Sequence, residues 1–187
     1  AIIGMVEVET DSCLIQLQKW HLGKHYPYKC VLIEGPDNRG IDPGLLYDTT
    51  RLQLIDFQSI SVGDNNGEWQ SRDILHCSFA KIDTADTLAS ELLHLLLCHF
   101  PSQRGGAAQS ADKREIAQQV LYRTADAILQ TDSSALILAM GDFNSEPQDN
   151  LIPLLHNLMI PLAKADQGTY KFHGIWSCLD QFYASDA

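Results

Sequence analysis

Residues 134–147, Ser-Ala-Leu-Ile-Leu-Ala-Met-Gly-Asp-Phe-Asn-Ser-Glu-Pro, constrain the chain most. The apolar run from Ala135 to Met140, bounded by Ser133-Ser134 and Gly141, has the length and composition of a strand buried on both faces. Gly141 then permits a turn. If the chain stays extended, Asp142 and Asn144 lie two apart and project to the same side. A carboxylate and an amide at one sheet edge suit a nucleophilic water and a phosphate oxygen. The competing reading is an ordinary strand-to-helix turn, with Asp142 or Asn144 satisfying backbone amides and Pro147 opening the helix. This segment alone does not decide between them.

Composition narrows the classes. The chain has 187 residues, 45% of them hydrophobic and 20% charged, which suits one soluble domain with a substantial core and gives no sign of disorder. A formal charge of −11, from 24 acidic and 13 basic residues, argues against holding DNA by bulk electrostatic attraction, which needs clustered Lys and Arg. A nuclease is not excluded, because carboxylates that bind Mg²⁺ are acidic by necessity and the cation restores attraction locally. The five cysteines, Cys13, Cys30, Cys77, Cys98 and Cys178, contain no C-x-x-C pair and read as buried free thiols. The longest apolar stretch, Leu92 to Cys98, is interrupted by His94 and too short to span a bilayer. No signal peptide is visible, so the compartment is open: cytoplasmic, or exported if a signal lies upstream. The chain opens directly on a strand-like run, which predicts missing sequence upstream.

Along the chain, strands and helices alternate without repeats. Strands are predicted at Ile2 to Val8, Tyr28 to Ile33, Gly44 to Tyr47, Arg51 to Ser61, Arg72 to Ala80 and Leu92 to Cys98. The strand from Arg51 breaks clean alternation at Leu52, Leu54 and Ile55. A first helix spans Asp11 to Lys24, capped by Thr10 or Asp11, with Leu14, Leu17 and Trp20 inward. Gly63 to Gly67 carries hairpin-turn chemistry. A second helix spans Asp112 to Gln130, with Ile116, Val120, Leu121, Thr124, Ala127 and Ile128 at helical spacing and Asp112 and Glu115 resembling a capping box. Mixed elements without a strict βαβ rhythm suit two packed sheets flanked by helices.

Several of these segments together resemble the endonuclease/exonuclease/phosphatase superfamily, the deoxyribonuclease I-like fold. Gly141-Asp142-Phe143-Asn144 resembles the family's GDFN motif, Val6-Glu7-Val8 its metal-binding Glu motif, His99 to Gly106 its active-site His segment, and Trp176 to Gln181 its late W-x-x-L-D-Q strand. Four matches in the family's order are far more specific than one. The resemblance implies an α+β, four-layer sandwich: two packed mixed β-sheets flanked by helices. One domain over residues 1–187 is expected, incomplete at both ends. The family's Asn ahead of the Glu motif and its C-terminal Ser-Asp-His have no counterpart here, Ser185-Asp186-Ala187 ending in Ala.

The resemblance assigns roles. From the strand alone, an inward Glu7 is matched evenly by a Glu at the strand end exposed to water or by Glu9 as the inward carboxylate; the family match selects Glu7. A buried, unpaired Glu would tend to protonate, and a divalent cation removes that penalty. His99 would donate to a non-bridging phosphate oxygen, whereas His94, five positions earlier on an extended strand, points the other way and reads as structural. Asp180 would orient the family's downstream His. Arg72 matches an Arg near the family's active site, Arg39 with Asp42 resembles a segment of bacterial members, and Arg104 with Gly105-Gly106 suits a phosphate clamp. For Arg72, Arg39 and Asp42 a surface ion pair is an equal alternative, and for Arg104 with Gly105-Gly106 an ordinary loop is the alternative.

The implied activity is a Mg²⁺-dependent (or Mn²⁺-dependent) phosphoesterase, foremost a phosphodiesterase or nuclease acting on nucleic acid or another phosphodiester. The alternatives are a phosphatase of small or lipid-linked phosphate esters and a catalytically silent binding or scaffold domain. Oligomeric state is not readable.

Overall fold

The computed structural model describes residues 1–22, 27–64, 66–82, 88–103, 106, 108, 110–147, 158–162 and 168–185. The strands are β1 (Ile2–Val8), β2 (Tyr28–Leu32), β3 (Asp42–Asp48), β4 (Leu52–Ile60), β5 (Ile74–Ile82), β6 (Leu88–His99), β7 (Leu136–Asp142), β8 (Met159–Pro161), β9 (Tyr170–Phe172), β10 (Ile175–Ser177) and β11 (Asp180–Ser185). The helices are α1 (Asp11–Leu17) and α2 (Ala111–Thr131). Three strands form one antiparallel sheet in the order β1-β3-β2, six form a second in the order β4-β5-β6-β7-β11-β8, and β9 and β10 pair separately. Only the β6–β7 contact is parallel among the described pairs. It is joined through α2, as a parallel pair requires a long crossover.

Period-two alternation builds four layers. Leu75, Cys77 and Phe79 of β5 and Leu95 and Leu97 of β6 meet Val31, Leu45 and Tyr47 of the smaller sheet. The intervening residues of β6 and β7, Leu96, Cys98, Ile137 and Ala139, face Ala117, Leu121 and Ala125 of α2. On the far side of the smaller sheet, Leu14 of α1 packs on Val8 and Leu46. The result is the four-layer α+β sandwich that the motifs imply, although the smaller sheet is antiparallel rather than mixed in every described pair.

Local departures from the expected elements have physical causes. The first helix is α-helical only to Leu17 and widens into a π-turn over Gln18–Leu22. Widening changes the angular step per residue, so Trp20, expected inward, is 71% exposed. Thr10 takes the cap position with no side-chain cap bond. The expected box at Asp112 and Glu115 does not form, because α2 starts at Ala111 with Ser110 as its cap residue, which places Asp112 inside the first turn. The Ser110 hydroxyl donates to the Gly106 carbonyl and accepts from Arg114 at 2.6 Å. The buried stripe of α2 is rotated toward its small residues, which lets the helix lie close to the sheet, and Ala127 is exposed. In β4 the broken alternation is a register shift between Leu54 and Asp56, a bulge in which one extra residue restores the pattern. The late motif segment is split, Trp176 in β10 and Asp180-Gln181 in β11. Gly67 takes the positive φ of +72° that the Gly63-to-Gly67 turn calls for.

Gly141 behaves differently from a turn glycine. It is still within β7, its φ is +135°, and a Cβ there would lie 2.0 Å from the Cys98 carbonyl oxygen and 2.9 Å from the carbonyl carbon. The residue is required by close backbone approach between β6 and β7. The strand is also not buried equally on both faces: Ile137 and Ala139 are enclosed under α2, while Leu136, on the other face, is exposed.

Gly141→Ala is therefore expected to destabilise the protein by roughly 2–4 kcal/mol, combining a disfavoured φ with a backbone clash. Urea unfolding measures it; a midpoint within error of the wild type would mean that the β6–β7 contact relaxes freely.

Candidate active site

Three neighbouring strands bring His99, Asp142 and Asp180 into one row. His99 ends β6, Asp142 ends β7 and Asp180 begins β11. The parallel register pairs His99 with Asp142 and the antiparallel register pairs Asp142 with Asp180. Register partners share a face of the sheet, here the face turned toward the smaller sheet.

Glu7 approaches the same rim from β1. Gly4 packs on Met140 and Leu97, where an added Cβ would meet their side chains at 2.7 and 3.0 Å, so β1 crosses directly over β6 and β7 just before the row. The pairing of β1 with β3 slips between Met5 and Val8, and Glu7 sits in that slip with a φ of +60°. The expected burial of Glu7 is corrected: the irregularity turns it out of the strand, and it is exposed. Its carboxylate is nonetheless close enough to Asp142 to act on it electrostatically.

Past Asp142 the chain does not stay extended. Asn144 adopts a φ of +48°, and its backbone N–H donates to Asp142 Oδ1 at 2.8 Å. Asp142 thus makes the turn bond of the bland reading while Oδ2 stays directed toward His99. Asn144 is buried; its Nδ2 donates to the Phe100 carbonyl at 3.0 Å and its own carbonyl accepts from Gln103 Nε2 at 2.9 Å. The same side-chain amide also acts on the Asp142 carboxyl as a hydrogen-bond donor.

Arg72 is 6% exposed. Its Nε donates to the His99 carbonyl at 3.1 Å, its Nη2 to the Phe100 carbonyl at 2.8 Å and its Nη1 to Asp37 Oδ2 at 2.9 Å. Its fork holds the backbone that carries His99 instead of standing open to solvent. Arg39 reaches the same Asp37 Oδ2 at 2.9 Å, so one carboxylate bridges two guanidinium groups. Asp42 is buried and accepts from the Gly35 N–H. Arg104 lies outside the described residues. His94 points away from the row, as expected, and hydrogen-bonds His76 at 3.0 Å.

Electrostatics separate the two central groups. Burial, with Asp180 and Glu7 repelling its charge, pushes the Asp142 carboxyl up to about 6, against the opposing Asn144 N–H bond. Burial, with help from the Arg39 charge, pushes His99 down to about 4. His99 is therefore neutral at physiological pH, and its Nε2, 3.8 Å from Asp142 Oδ2, makes no ion pair and is beyond hydrogen-bond distance. Its Nδ1 is buried without a hydrogen-bond partner among the described residues. A carboxyl whose proton affinity is raised by burial and by neighbouring carboxylates, as that of Asp142 is, is the environment a hard cation relieves. Among the described residues no three His, Cys, Asp or Glu side chains enclose a metal. The donor set around Glu7 accordingly fits an open site completed by water and substrate oxygens, not a closed cage.

Three contributors were assigned no role from the sequence. Asp37 ties Arg39 to Arg72. Gln103 holds the Asn144 carbonyl. Gln181, inside the matched motif but without an assigned role, is buried and donates to the Ser145 and Cys178 carbonyls while accepting from Tyr183. Asp37 had no sequence signal, and the two glutamines had none beyond their places in the matched segments.

The family model described as the endonuclease/exonuclease/phosphatase family matches residues 1–187. Among solved structures, the human Nocturnin catalytic domain with bound sulfate aligns with a TM-score of 0.70 and 16% identity over 99% of this chain and 69% of that one. Truncated Caenorhabditis elegans TDP2 aligns with a TM-score of 0.70 and 16% identity over 98% and 70%. A Bacteroides thetaiotaomicron mannosyl-6-phosphatase aligns with a TM-score of 0.65 and 10% identity over 100% and 71%. These likenesses show the shared fold. No curated protein sequence matches the chain.

The opposed shifts predict a pH signature. Asp142 has a folded pKa above its unfolded value, so its contribution to stability grows as pH falls from about 6 toward the usual carboxylate range near 4. His99 has a folded pKa below its unfolded value, so its contribution is lost as pH falls from about 6.5 toward 4. The two slopes oppose each other in the wild type. Asp142→Asn removes the first and keeps the turn bond, so in metal-free buffer its melting temperature should drop more steeply than the wild type's on acidification between pH 6.5 and about 4. Parallel curves would show that the Asp142 shift does not exist.

Proposed function

We propose, from the premise that the chain belongs to the endonuclease/exonuclease/phosphatase family, that it is a metal-dependent phosphoesterase acting foremost on phosphodiesters of nucleic-acid type. The observation that carries this reading is the row His99, Asp142, Asp180 on adjacent strands, with a central carboxyl held at about 6. A base of that strength is largely ionised at neutral pH and still able to accept a proton, the balance that general-base catalysis favours.

In the proposed mechanism Asp142 orients the attacking water and takes its proton. Neutral His99 donates an N–H to a non-bridging phosphate oxygen, where charge accumulates. Asn144, its backbone pinned by Asp142 and Gln103, holds a second phosphate oxygen through its side-chain amide, exchanging its contact with the Asp142 carboxyl for one to substrate. Glu7 would hold Mg²⁺ or Mn²⁺, which when bound neutralises developing negative charge on the phosphoryl group. Asp180 keeps a second negative charge beside Asp142 and so sustains its proton affinity. Arg72 acts as a positioning residue through the His99 and Phe100 carbonyls, Arg39 is the half-exposed cation nearest the row, and Arg104 is proposed as a further phosphate contact. No helix among the described residues is long and apolar enough to cross a membrane.

The second reading, a phosphatase of small phosphate esters, is favoured by the net charge of −11, which opposes a long polyanion more than a small one. Comparing turnover of an oligonucleotide with that of a phosphomonoester separates the two. An intact fold with no hydrolysis of either would leave the binding or scaffold reading.

Asp142→Asn should lower kcat by roughly 10²- to 10⁴-fold, the range for lost general-base help, while near-neutral stability is retained. Steady-state kinetics of the full-length protein beside a melting curve check it, and undiminished turnover would remove Asp142 from the chemistry. Hydrolysis should stop in EDTA and return with Mg²⁺ or Mn²⁺, with Glu7→Gln raising the metal concentration needed for half-maximal rate. Full activity in EDTA would contradict a cation at Glu7, because 13 basic residues against 24 acidic ones leave little else to balance phosphoryl charge.

A further inference from the structure

Beside the row, on the other side of the Arg72 guanidinium, lies a polar cavity of 310 Å³ lined in part by Asp37, Arg39, Trp69, Arg72, Ser102 and Lys113. It gathers three of the chain's 13 basic residues around a single lining carboxylate, in a chain whose net charge is −11. Asp37 lies between the two arginines, 2.9 Å from each, so its charge is already shared. The local balance stays positive, three cations against one anion. Arg72 connects cavity and row mechanically, since the group that lines the cavity also holds the carbonyls of His99 and Phe100. Arg39 connects them electrically, being one of the charges that keep His99 neutral.

Lys113 is the group that makes this a recognition surface. It is exposed on the first turn of α2, and its Nζ lies 5.1 Å from the centroid of Trp69. Trp69 is half-buried and packed against the core beneath α2, so the indole is a fixed platform that holds the ammonium in place. With the Lys113 charge over it, that indole face is already covered, which disfavours a stacked nucleobase and favours an anion. A guanidinium, an ammonium and the Ser102 hydroxyl are the donor set for a phosphate.

We propose, resting on the phosphoesterase reading above, that this cavity receives a second phosphate group of the substrate, with Lys113 and Arg39 as its binding residues, so that the site selects phosphoesters carrying a phosphate beside the scissile one. Oligonucleotides and bisphosphorylated small esters share this chemistry. Lys113 contributes affinity for the second phosphate only; the reacting phosphate is held elsewhere.

Titration calorimetry on the full-length protein tests it with thymidine bisphosphate, phosphorylated at both the three-prime and five-prime hydroxyls, against thymidine monophosphate. The wild type should bind the bisphosphate about tenfold more tightly, the effect of one well-held charge pair. Lys113→Gln should cut that preference to about twofold or less, and Lys113→Arg should retain it. Lys113 is exposed, so these variants should keep the wild-type melting temperature, and hydrolysis of bis(p-nitrophenyl) phosphate, which has one phosphorus, should be unchanged in both. Equal preference in wild type and Lys113→Gln, or no preference in the wild type, overturns the proposal. Failure of the wild type to hydrolyse bis(p-nitrophenyl) phosphate with Mg²⁺ would instead overturn the phosphoesterase reading, and the binding comparison would still decide the cavity. The same comparison with the dinucleotide pTpT against TpT, and with a sugar bisphosphate against its monophosphate, identifies the source of the second phosphate. For a nucleic acid, Lys113→Gln should also reduce the slope of log affinity against log salt by about one.

Discussion

The close parallel pairing of β6 with β7 sets the geometry on which the remaining site depends. With a carbonyl oxygen where a Cβ would stand, only glycine at 141 lets the two backbones meet at Cys98. That contact determines the register in which His99 comes opposite Asp142, and β11 then inherits the register and sets Asp180 beside Asp142. The Phe100 N–H closes the arrangement by donating to the Asp142 carbonyl at 2.8 Å. Three functional groups from distant parts of the sequence are thus aligned by ladder hydrogen bonds, which are short, directional and buried. A site built on strand ends in this way is held more rigidly than one built on loops alone.

Around that row, polar side chains replace the ladder where the strands end. Arg72 makes two bonds to the carbonyls of residues 99 and 100, Asn144 a third to residue 100, and Gln103 one back to the Asn144 carbonyl. Together the four bonds serve the three carbonyls of residues 99, 100 and 144, and a buried carbonyl left unpaired costs roughly 1–3 kcal/mol. The network therefore stabilises the strand ends and fixes where His99 and Asp142 point. This double duty explains why polar residues expected to face a substrate are found partly or wholly facing the protein.

The sequence carried the architecture further than the local geometry. Apolar periodicity in β5, β6 and α2 was sufficient to anticipate two sheets and a covering helix, because burial is what generates periodicity. The bulge in β4 was visible as a broken alternation at Leu54-Ile55, although not as a bulge. By contrast, the role of Gly141 was misread, since a glycine required for close approach and one required for a turn are the same letter. The inward placement of Trp20 failed because a π-turn changes the angular step without leaving a compositional trace. At the site, the GDFN segment named the right neighbourhood. The exposure of Glu7 followed from a register slip between β1 and β3 that depends on the partner strand and cannot be read from β1 alone. Arg72 and Asp37 are 35 residues apart, and their pairing is set by tertiary packing rather than by any local pattern.

The acidity of the chain and the chemistry of its candidate site are linked by the same arrangement. A carboxylate deep in a cleft could be raised by burial alone, but then nothing would stop a solvating cation or lysine from lowering it again. Here Asp180 and Glu7 add negative charge on two sides of Asp142, whereas the nearest cations, Arg39 and Arg72, are partly compensated by Asp37. Burial and the Arg39 charge depress the proton affinity of His99, and Asp37 partly offsets the Arg39 effect. Burial of both groups, with Asp180 and Glu7 beside Asp142 and the Arg39 charge near His99, thus pushes the two apart in proton affinity, one toward a competent base and the other toward a neutral hydrogen-bond donor. A pair of titratable groups separated in this way is the electrostatic pattern of acid–base assignment in hydrolytic sites. It arises here from the placement of charges that the fold, and not any single motif, brings together.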